Sequence, residues 1–557
     1  MTLFELKKVI KLILKNHRKN ITIEVLFFIY ITFVYVASDD FFFLDRLLSI
    51  GGGHLSIFGH FSRFLFIFEY FLAITVLIYS TRLANKLLAN TLITALCFFI
   101  FLDLAAFYVY GRPADIFNIA MLNAAVANTK DALFEHSGSI FKAIFFTVLI
   151  YVPLVLHSSF NTYKGNTIVQ KIALLSLFIG MITIYASTLI VKGVPALIGF
   201  PKGFSYVFAS LSIELNSLIS PLNYREINRL TDRVINDKLN NIIVVMDESV
   251  EYSNFVEAKK QWQQENGALL GGGLFVDFGL TFSSANCSAP SNYVVRKATW
   301  EVDGERLLMF QVPSLFEIAR QQGYQITYID NQHVLKDPTV RNYIDNKEAS
   351  LINEIYSPMQ PEYVRDLASI EFINGVLKNS SKNFIFVNKV GAHFPYEKTI
   401  NPQYRTSSRL TDYSISLQQN SVLFLDKLSK SLTADTVLFY TSDHGQNFSS
   451  GATHCNTGKD ISPKEYFVPF VVGTGNLELL AHLKENQSLF EKNRKYLTHL
   501  HFSESIRNLL GVEIKNKSSI FKINLVLKEQ TNSYCGLYGQ PMSFLGRNPS
   551  CYPIKIR

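Results

Sequence analysis

Cysteine is scarce in this chain, five in 557 residues, and no two stand in a CxxC pair, so a metal site built on paired thiolates is excluded. No basic stripe with interleaved aromatics occurs, and the formal net charge of +8 therefore does not point to nucleic acid. No small-residue cleavage site follows the first apolar run, which argues against a removable signal peptide. Beyond residue 192 no apolar run is long enough to span a bilayer, and that part reads as soluble.

What is abundant is apolar. A hydrophobic content of 48% with 46 Phe exceeds what a soluble globule usually carries, and the length suggests two or three domains. Five apolar runs, at 21–38, 62–80, 89–108, 140–157 and 170–192, each approach the ~20 residues of a spanning helix. They predict an α-helical membrane domain of five helices over 1–192. Residues 41–49 contain Asp45 and Arg46 and are too short to span, so they read as an interfacial helix or loop.

Lys7, Lys8, Lys11, Lys15, Arg18 and Lys19 precede the first run, and Arg82, Lys86, Lys164 and Lys171 follow the second and fourth. The positive-inside rule puts that side in the cytoplasm. Five crossings then place the C-terminal part outside, which in a bacterium is the periplasm of a multi-pass inner-membrane protein. Cys97 falls within a run, whereas Cys287, Cys455, Cys535 and Cys551 fall outside, an even number that permits two disulfides in any of three pairings. Cys535 with Cys551 is the most local of these.

A linker at 193–235, with Pro195, Pro201, Pro221 and bridging helices, precedes a domain at 236–557. There, apolar β-branched and aromatic runs alternate with helix-length segments: NIIVVMD at 241–247, ITYID at 326–330, FIFVNKV at 384–390, TVLFYTSD at 436–443 and FVPFVVG at 467–473. That pattern predicts an α/β domain with a mostly parallel sheet and helices on both faces. Ligand sites in such sheets collect at the carboxyl ends of strands.

The polar clusters sit at those ends. Asp247 and Glu248 end the first strand, and Asp443, His444 and Gly445 end TVLFYTSD. A strand-end acid pair alone would serve equally to cap the next helix, and a lone histidine is more often structural. Two such clusters, with His393 in GAHFPY and His454 in ATHC, make an oxygen and nitrogen set suited to zinc. SSANCSAPSN at 283–292 offers Ser288 as a nucleophile that a metal would activate for attack on phosphorus. Read blandly, the same stretch is a turn, and Cys287 is a competing nucleophile.

These residues resemble the phosphoethanolamine transferases of the alkaline phosphatase and sulfatase superfamily, and the likeness spans nearly the whole chain. VVMDESVEYSN is similar to their VVxGET strand, with Glu248 at the metal-binding glutamate; TSDHG resembles SDHGE, which implies Asp443 and His444 as ligands. SANCSAPS resembles the threonine-nucleophile loop, with Ser288 at the nucleophile and metal-facing position. GAHFPY resembles GSHGP, and THCNTGKDISPKEYFVP resembles HGxPYxxAPxxQxxVP; His393 and His454 are implied as ligands of the transferred phosphoryl group or of a second zinc.

NAAVANTKDA is similar to NxxETNxxEA, which puts Asn123 and Asp131 where the headgroup-binding Asn and Glu sit; as a plain loop acid, Asp131 would simply be solvated. DNQHVLK resembles DNNSxxK, which aligns His333 with its serine and Lys336 with its lysine. Departures are Asp247 for glycine, Ser249 and Ser288 for threonines, Gln446 for the glutamate after DHG, and no cysteine just after the nucleophile loop.

The resemblance implies a zinc-dependent enzyme that moves phosphoethanolamine from phosphatidylethanolamine to lipid A or another envelope glycan through a covalent Ser288 intermediate. It implies one tightly bound zinc with a second as an option, and a monomer working at the membrane. The nearest alternative is a phosphoglycerol transferase of the same superfamily, followed by a phosphodiesterase or sulfatase that passes the group to water. A formylglycine sulfatase needs C/S-x-P-x-R, whereas Pro290 comes one position late after Cys287 and no Arg stands at 291. An inactive sensor or glycan-binding partner is the reading from another class; the intact ligand set speaks against it, and zinc stoichiometry would decide.

Overall fold

The computed structural model describes residues 22–38, 57–110, 136–160, 167–192, 201–208, 210–211, 239–297, 313–332, 344, 346–379, 382–449, 453–456, 462–492, 497–512, 519–521, 533–534 and 552–553. They fall into two compact units, a helical one up to residue 211 and one built on a β-sheet from residue 239 onward.

The helical unit contains α1 (Thr22–Ala37), α2 (Ile57–Ser80), α3 (Lys86–Tyr110), α4 (Ser137–Phe160) and α5 (Thr167–Lys192), one for each apolar run. Two are long and apolar enough to cross a membrane, α3 over Lys86–Val109 and α4 over Ser137–Phe160. The apolar stretches described in the other three, Thr22–Ala37, Ile67–Ser80 and Ile172–Ala186, are shorter, so length and apolarity support two crossings where five were expected. In α5 the stretch begins only after Gln170 and Lys171.

Helix α3 packs along α4, and α2 along α5. Several charged groups of this unit are paired, as a largely apolar surround favours. Glu24 of α1 accepts from Arg82 Nη2 at 2.8 Å and faces His157 Nε2 of α4 at 3.2 Å, while Phe27 stacks on the His157 ring. Buried Asp103 of α3 accepts from the Gly203 amide at 2.6 Å.

The second unit is an eight-stranded sheet in the order β4-β3-β5-β1-β6-β7-β2-β8. Its strands are β1 (Asn241–Asp247), β2 (Phe275–Phe282), β3 (Gln325–Asp330), β4 (Glu354–Tyr356), β5 (Asn383–Asn388), β6 (Thr436–Ser442), β7 (Phe467–Thr474) and β8 (Leu497–Thr498). All run in one direction except β7, which is antiparallel to both β6 and β2. The sheet is therefore mixed, and the FVPFVVG run is the strand that departs from the expected parallel direction. A short separate ladder pairs Tyr534 with Tyr552 and Ser533 with Pro553.

Alternation along β1 explains the two covered faces. Ile242, Val244 and Met246 pack on one side with Leu315, Phe316, Leu483 and Phe502, whereas Ile243 and Val245 pack on the other with Phe255, Ile373 and Leu425. A strand buried on both faces reads as one continuous apolar run, as NIIVVMD does. Helices cover both sides, among them α6 (Tyr252–Asn266), α7 (Ser288–Lys297), α8 (Glu362–Leu377) and α9 (His499–Leu509).

Candidate active site

Three adjacent parallel strands, β5, β1 and β6, end side by side: Met246 pairs with Asn388 and Asp247 with Ser442. The next residues along the chain carry the polar groups. Glu248 follows β1, Asp443 and His444 follow β6, and the loop after β5 leads to His393. Strand β2 runs through a short turn into α7, whose first residue is Ser288.

Glu248, Asp443 and His444 are buried and can each offer one ligand atom, all within 4.8 Å of one another. Ser288 Oγ lies 3.2 and 3.3 Å from the two Glu248 carboxylate oxygens and 3.2 Å from His444 Nε2. His444 Nδ1 donates to the Gly445 carbonyl at 2.8 Å, which leaves Nε2 facing the cluster as the ring atom that an ion can bind once its proton is displaced. Asp443 Oδ1 accepts from the amides of Ser249 and His444, while its buried Oδ2 has no hydrogen-bond partner.

The electrostatics ask for a cation here. Burial alone would raise Glu248, but its hydrogen bond to His444 and the nearby His444, His393 and His454 charges hold it well below the usual carboxylate range. Burial and the Glu248 charge push Asp443 up to about 8. Burial opposes a charge on His444, yet Asp443 and Glu248 raise it to about 9. One buried carboxylate, Asp443, and the His444 imidazole thus hold protons that a divalent ion would replace, beside a Glu248 that is already ionised. The orphaned Asp443 oxygen and this N/O donor set fit zinc.

Around the cluster the backbone is shaped tightly. Ser249 adopts φ 61, uncommon for a non-glycine residue, and from there its hydroxyl donates to Glu248 Oε1 at 2.8 Å. Gly391 has φ +54, and a Cβ there would lie 2.3 Å from Asp247 Oδ1. The His454 ring stacks on His444 with centroids 4.3 Å apart, and His393 meets His454 edge-on at 6.4 Å. Glu248, Ser288, Asp443, His444, His393 and His454 therefore come together. Asn123, Asp131, His333 and Lys336 lie outside the described residues.

Cys287 and Cys455 form a disulfide, so Cys287 is not the free thiolate that the competing-nucleophile reading required. Sequence reasoning left that pairing open among three and missed three further groups. Gln332 Nε2 donates to Glu248 Oε2 at 2.8 Å and to the Lys389 carbonyl. Lys389 Nζ pairs with Asp247 Oδ2 at 2.6 Å, which turns the aspartate in place of glycine into half of a buried ion pair. Glu465 accepts from residues of several site loops. An unusual lysine inside an apolar strand end, FIFVNKV, was the one signal available for the second of these.

Residues 240–512 match the sequence model of the Sulfatase family. Among solved structures, the chain is similar to the integral membrane lipooligosaccharide phosphoethanolamine transferase A of Neisseria meningitidis, at 15% identity over 88% of this chain and 97% of that one, with a TM-score of 0.51. It is also similar to the C-terminal periplasmic domain of EcEptC from Escherichia coli, at 16% identity over 58% of this chain and 94% of that one, TM-score 0.46. A third is the lipoteichoic acid synthase LtaP of Listeria monocytogenes, at 13% over 54% and 80%, TM-score 0.34. No curated protein matches by sequence. The mixed sheet with helices on both faces has the alkaline phosphatase and sulfatase-like architecture, and the match to the Sulfatase family model falls on that sheet domain.

Proposed function

We propose that this protein is a membrane-bound, zinc-dependent phosphoethanolamine transferase. In this reading five helices cross a bacterial inner membrane, the sheet domain lies in the periplasm, and phosphatidylethanolamine donates its headgroup phosphate to lipid A or another envelope glycan. The observation that carries the reading is the placement of Ser288 Oγ within 3.3 Å of Glu248 and His444, beside an orphaned Asp443 oxygen, at the carboxyl edge of the sheet.

Glu248, Asp443 and His444 would hold the zinc, which when bound lowers the pKa of the Ser288 hydroxyl and offsets charge on the phosphoryl oxygens. Ser288 Oγ attacks phosphorus, the bond from phosphorus to the diacylglycerol oxygen breaks, and diacylglycerol leaves with a proton. An acceptor hydroxyl or phosphate then takes phosphoethanolamine from Ser288. His454, stacked on His444, and His393, edge-on to His454, donate to the phosphoryl oxygens in both halves. For Asn123, Asp131, His333 and Lys336 the motif resemblance supports headgroup binding, Asp131 pairing with the ammonium.

The test is diacylglycerol release from phosphatidylethanolamine, and separately from phosphatidylglycerol, by the purified protein in detergent with zinc. Release from phosphatidylethanolamine alone supports the reading. Release from phosphatidylglycerol alone makes the protein a phosphoglycerol transferase, and release from neither sinks both.

A further inference from the structure

Three loops that carry site residues each send an asparagine to one carboxylate. Asn286, two residues before Ser288, donates through Nδ2 to Glu465 Oε2 at 2.7 Å. Asn456, two residues after His454, donates through its amide to Oε2 at 3.2 Å and through Nδ2 to Oε1 at 3.0 Å. Asn447, three residues after His444, donates through Nδ2 to Oε1 at 3.4 Å. The Ser462 amide adds a bond to Oε1 at 2.8 Å, and the Gly445 amide binds the Glu465 carbonyl at 2.8 Å.

The loops are also tied directly. The Cys455 amide donates to the Asn286 carbonyl, Asn286 Nδ2 to the Asn456 carbonyl, and the Asn447 amide to the Thr453 carbonyl. The Cys287–Cys455 disulfide joins the residue before Ser288 to the residue after His454. Cys455 stands at φ 59, a conformation its surroundings must hold. Gly445 leaves no room for change, since a Cβ there would sit 2.0 Å from the Lys464 carbonyl.

We infer that Glu465, with the Cys287–Cys455 bridge, is the positioning hub that sets Ser288 and His454 against the Asp443–His444 turn. Glu465 touches none of the ligand or nucleophile atoms; it acts through the asparagines. A carboxylate suits the task because it accepts from every side and donates nowhere, and the donors around it are amides that need acceptors when buried. The inference rests on the reading of Ser288 as nucleophile for its effect on the reaction, and on geometry alone for its effect on the loops.

The experiment is amide hydrogen exchange on the full-length protein in detergent, comparing wild type with Glu465→Gln, which can accept on one side only. The account expects 284–292, 445–449 and 453–456 to lose protection together, by about tenfold or more, while β1 does not change. Faster exchange confined to 462–465, or spread evenly over the sheet, overturns it. If Glu465→Gln does not fold, Asn456→Ala, which leaves the carboxylate in place, is read in the same way.

In the same preparations, the rate of phosphoethanolamine labelling of Ser288 should fall about tenfold or more with KM and zinc content unchanged, since small displacements of reacting groups cost rate before binding. A variant that labels as fast as wild type overturns the hub. A wild type that is never labelled sinks the proposed function instead, and the exchange pattern alone then decides the hub.

Discussion

Lys389 Nζ and Asp247 Oδ2 stand 2.6 Å apart with neither side chain exposed, directly beneath the turn that presents Glu248. The same ammonium binds the Asn420 carbonyl and lies 3.7 Å from Asp366, whose oxygens hold the amides of Val390 and Gly391 on the way to His393. Asp247 Oδ1 accepts the Glu248 amide. One cation thus links the glutamate turn to the histidine loop. Lys389→Met leaves two buried carboxylates without their partner and should cost about 3–5 kcal/mol, read by urea unfolding. A loss below about 1 kcal/mol would mean the pair is solvated or exchangeable.

Zinc affinity should rise with pH. Asp443 is pushed up to about 8 and His444 to about 9, so near neutral pH both hold protons that the ion must displace. Affinity therefore climbs from pH 6 to about 9 and levels off there. Calorimetry in two buffers of different ionisation enthalpy should find protons released on binding at pH 7; no release would contradict this picture of the cluster.

Substituting a ligand should empty the site without unfolding the sheet. Asp443→Asn or Glu248→Gln is expected to lower zinc from about one equivalent per chain to a small fraction, by elemental analysis. Unchanged zinc would move the site elsewhere.

Acid should destabilise the sheet domain through His499. This buried ring donates through Nε2 to the Ser442 carbonyl and accepts the Ser284 amide on Nδ1, which spans the metal strand and the nucleophile loop. Burial lowers it to about 3, against an unfolded value of 6.5. Its stabilising contribution is complete above pH 6.5 and is lost progressively toward pH 3, by at most about 5 kcal/mol. His499→Gln should flatten that slope in unfolding measured between pH 7 and 4; an unchanged slope would assign the acid sensitivity to other groups.

Non-reducing peptide mapping should recover Cys287 linked to Cys455, a bridge closing 168 residues, and reduction should cost up to about 5 kcal/mol in the chain-entropy account. Cys535 with Cys551, the most local of the remaining pairings along the sequence, is the expected second bridge. A Cys287–Cys551 peptide would contradict both.

Much of the site was legible because β1, β5 and β6 are buried on both faces and so write themselves as unbroken apolar runs that stop at polar residues. Strand β2 was harder: Gly279, at φ +86, interrupts its pattern, and its register with β7 shifts between Asp277 and Leu280. The reversed direction of β7 leaves no mark in side-chain periodicity. Gln332, Lys389 and Glu465 escaped because each acts through partners far away in sequence, and no local spacing encodes a contact between Glu465 and Asn286. The crossing helices were placed by composition, while their number depends on lengths that the described apolar stretches meet only for α3 and α4.

The central claim is that Ser288 carries the transferred group. The direct measurement is mass spectrometry of the zinc-loaded protein after incubation with phosphatidylethanolamine in detergent, wild type beside Ser288→Ala. The account predicts a phosphoethanolamine adduct on the peptide containing residue 288, absent from the variant. An adduct that persists in Ser288→Ala, or lies on another residue, would contradict it.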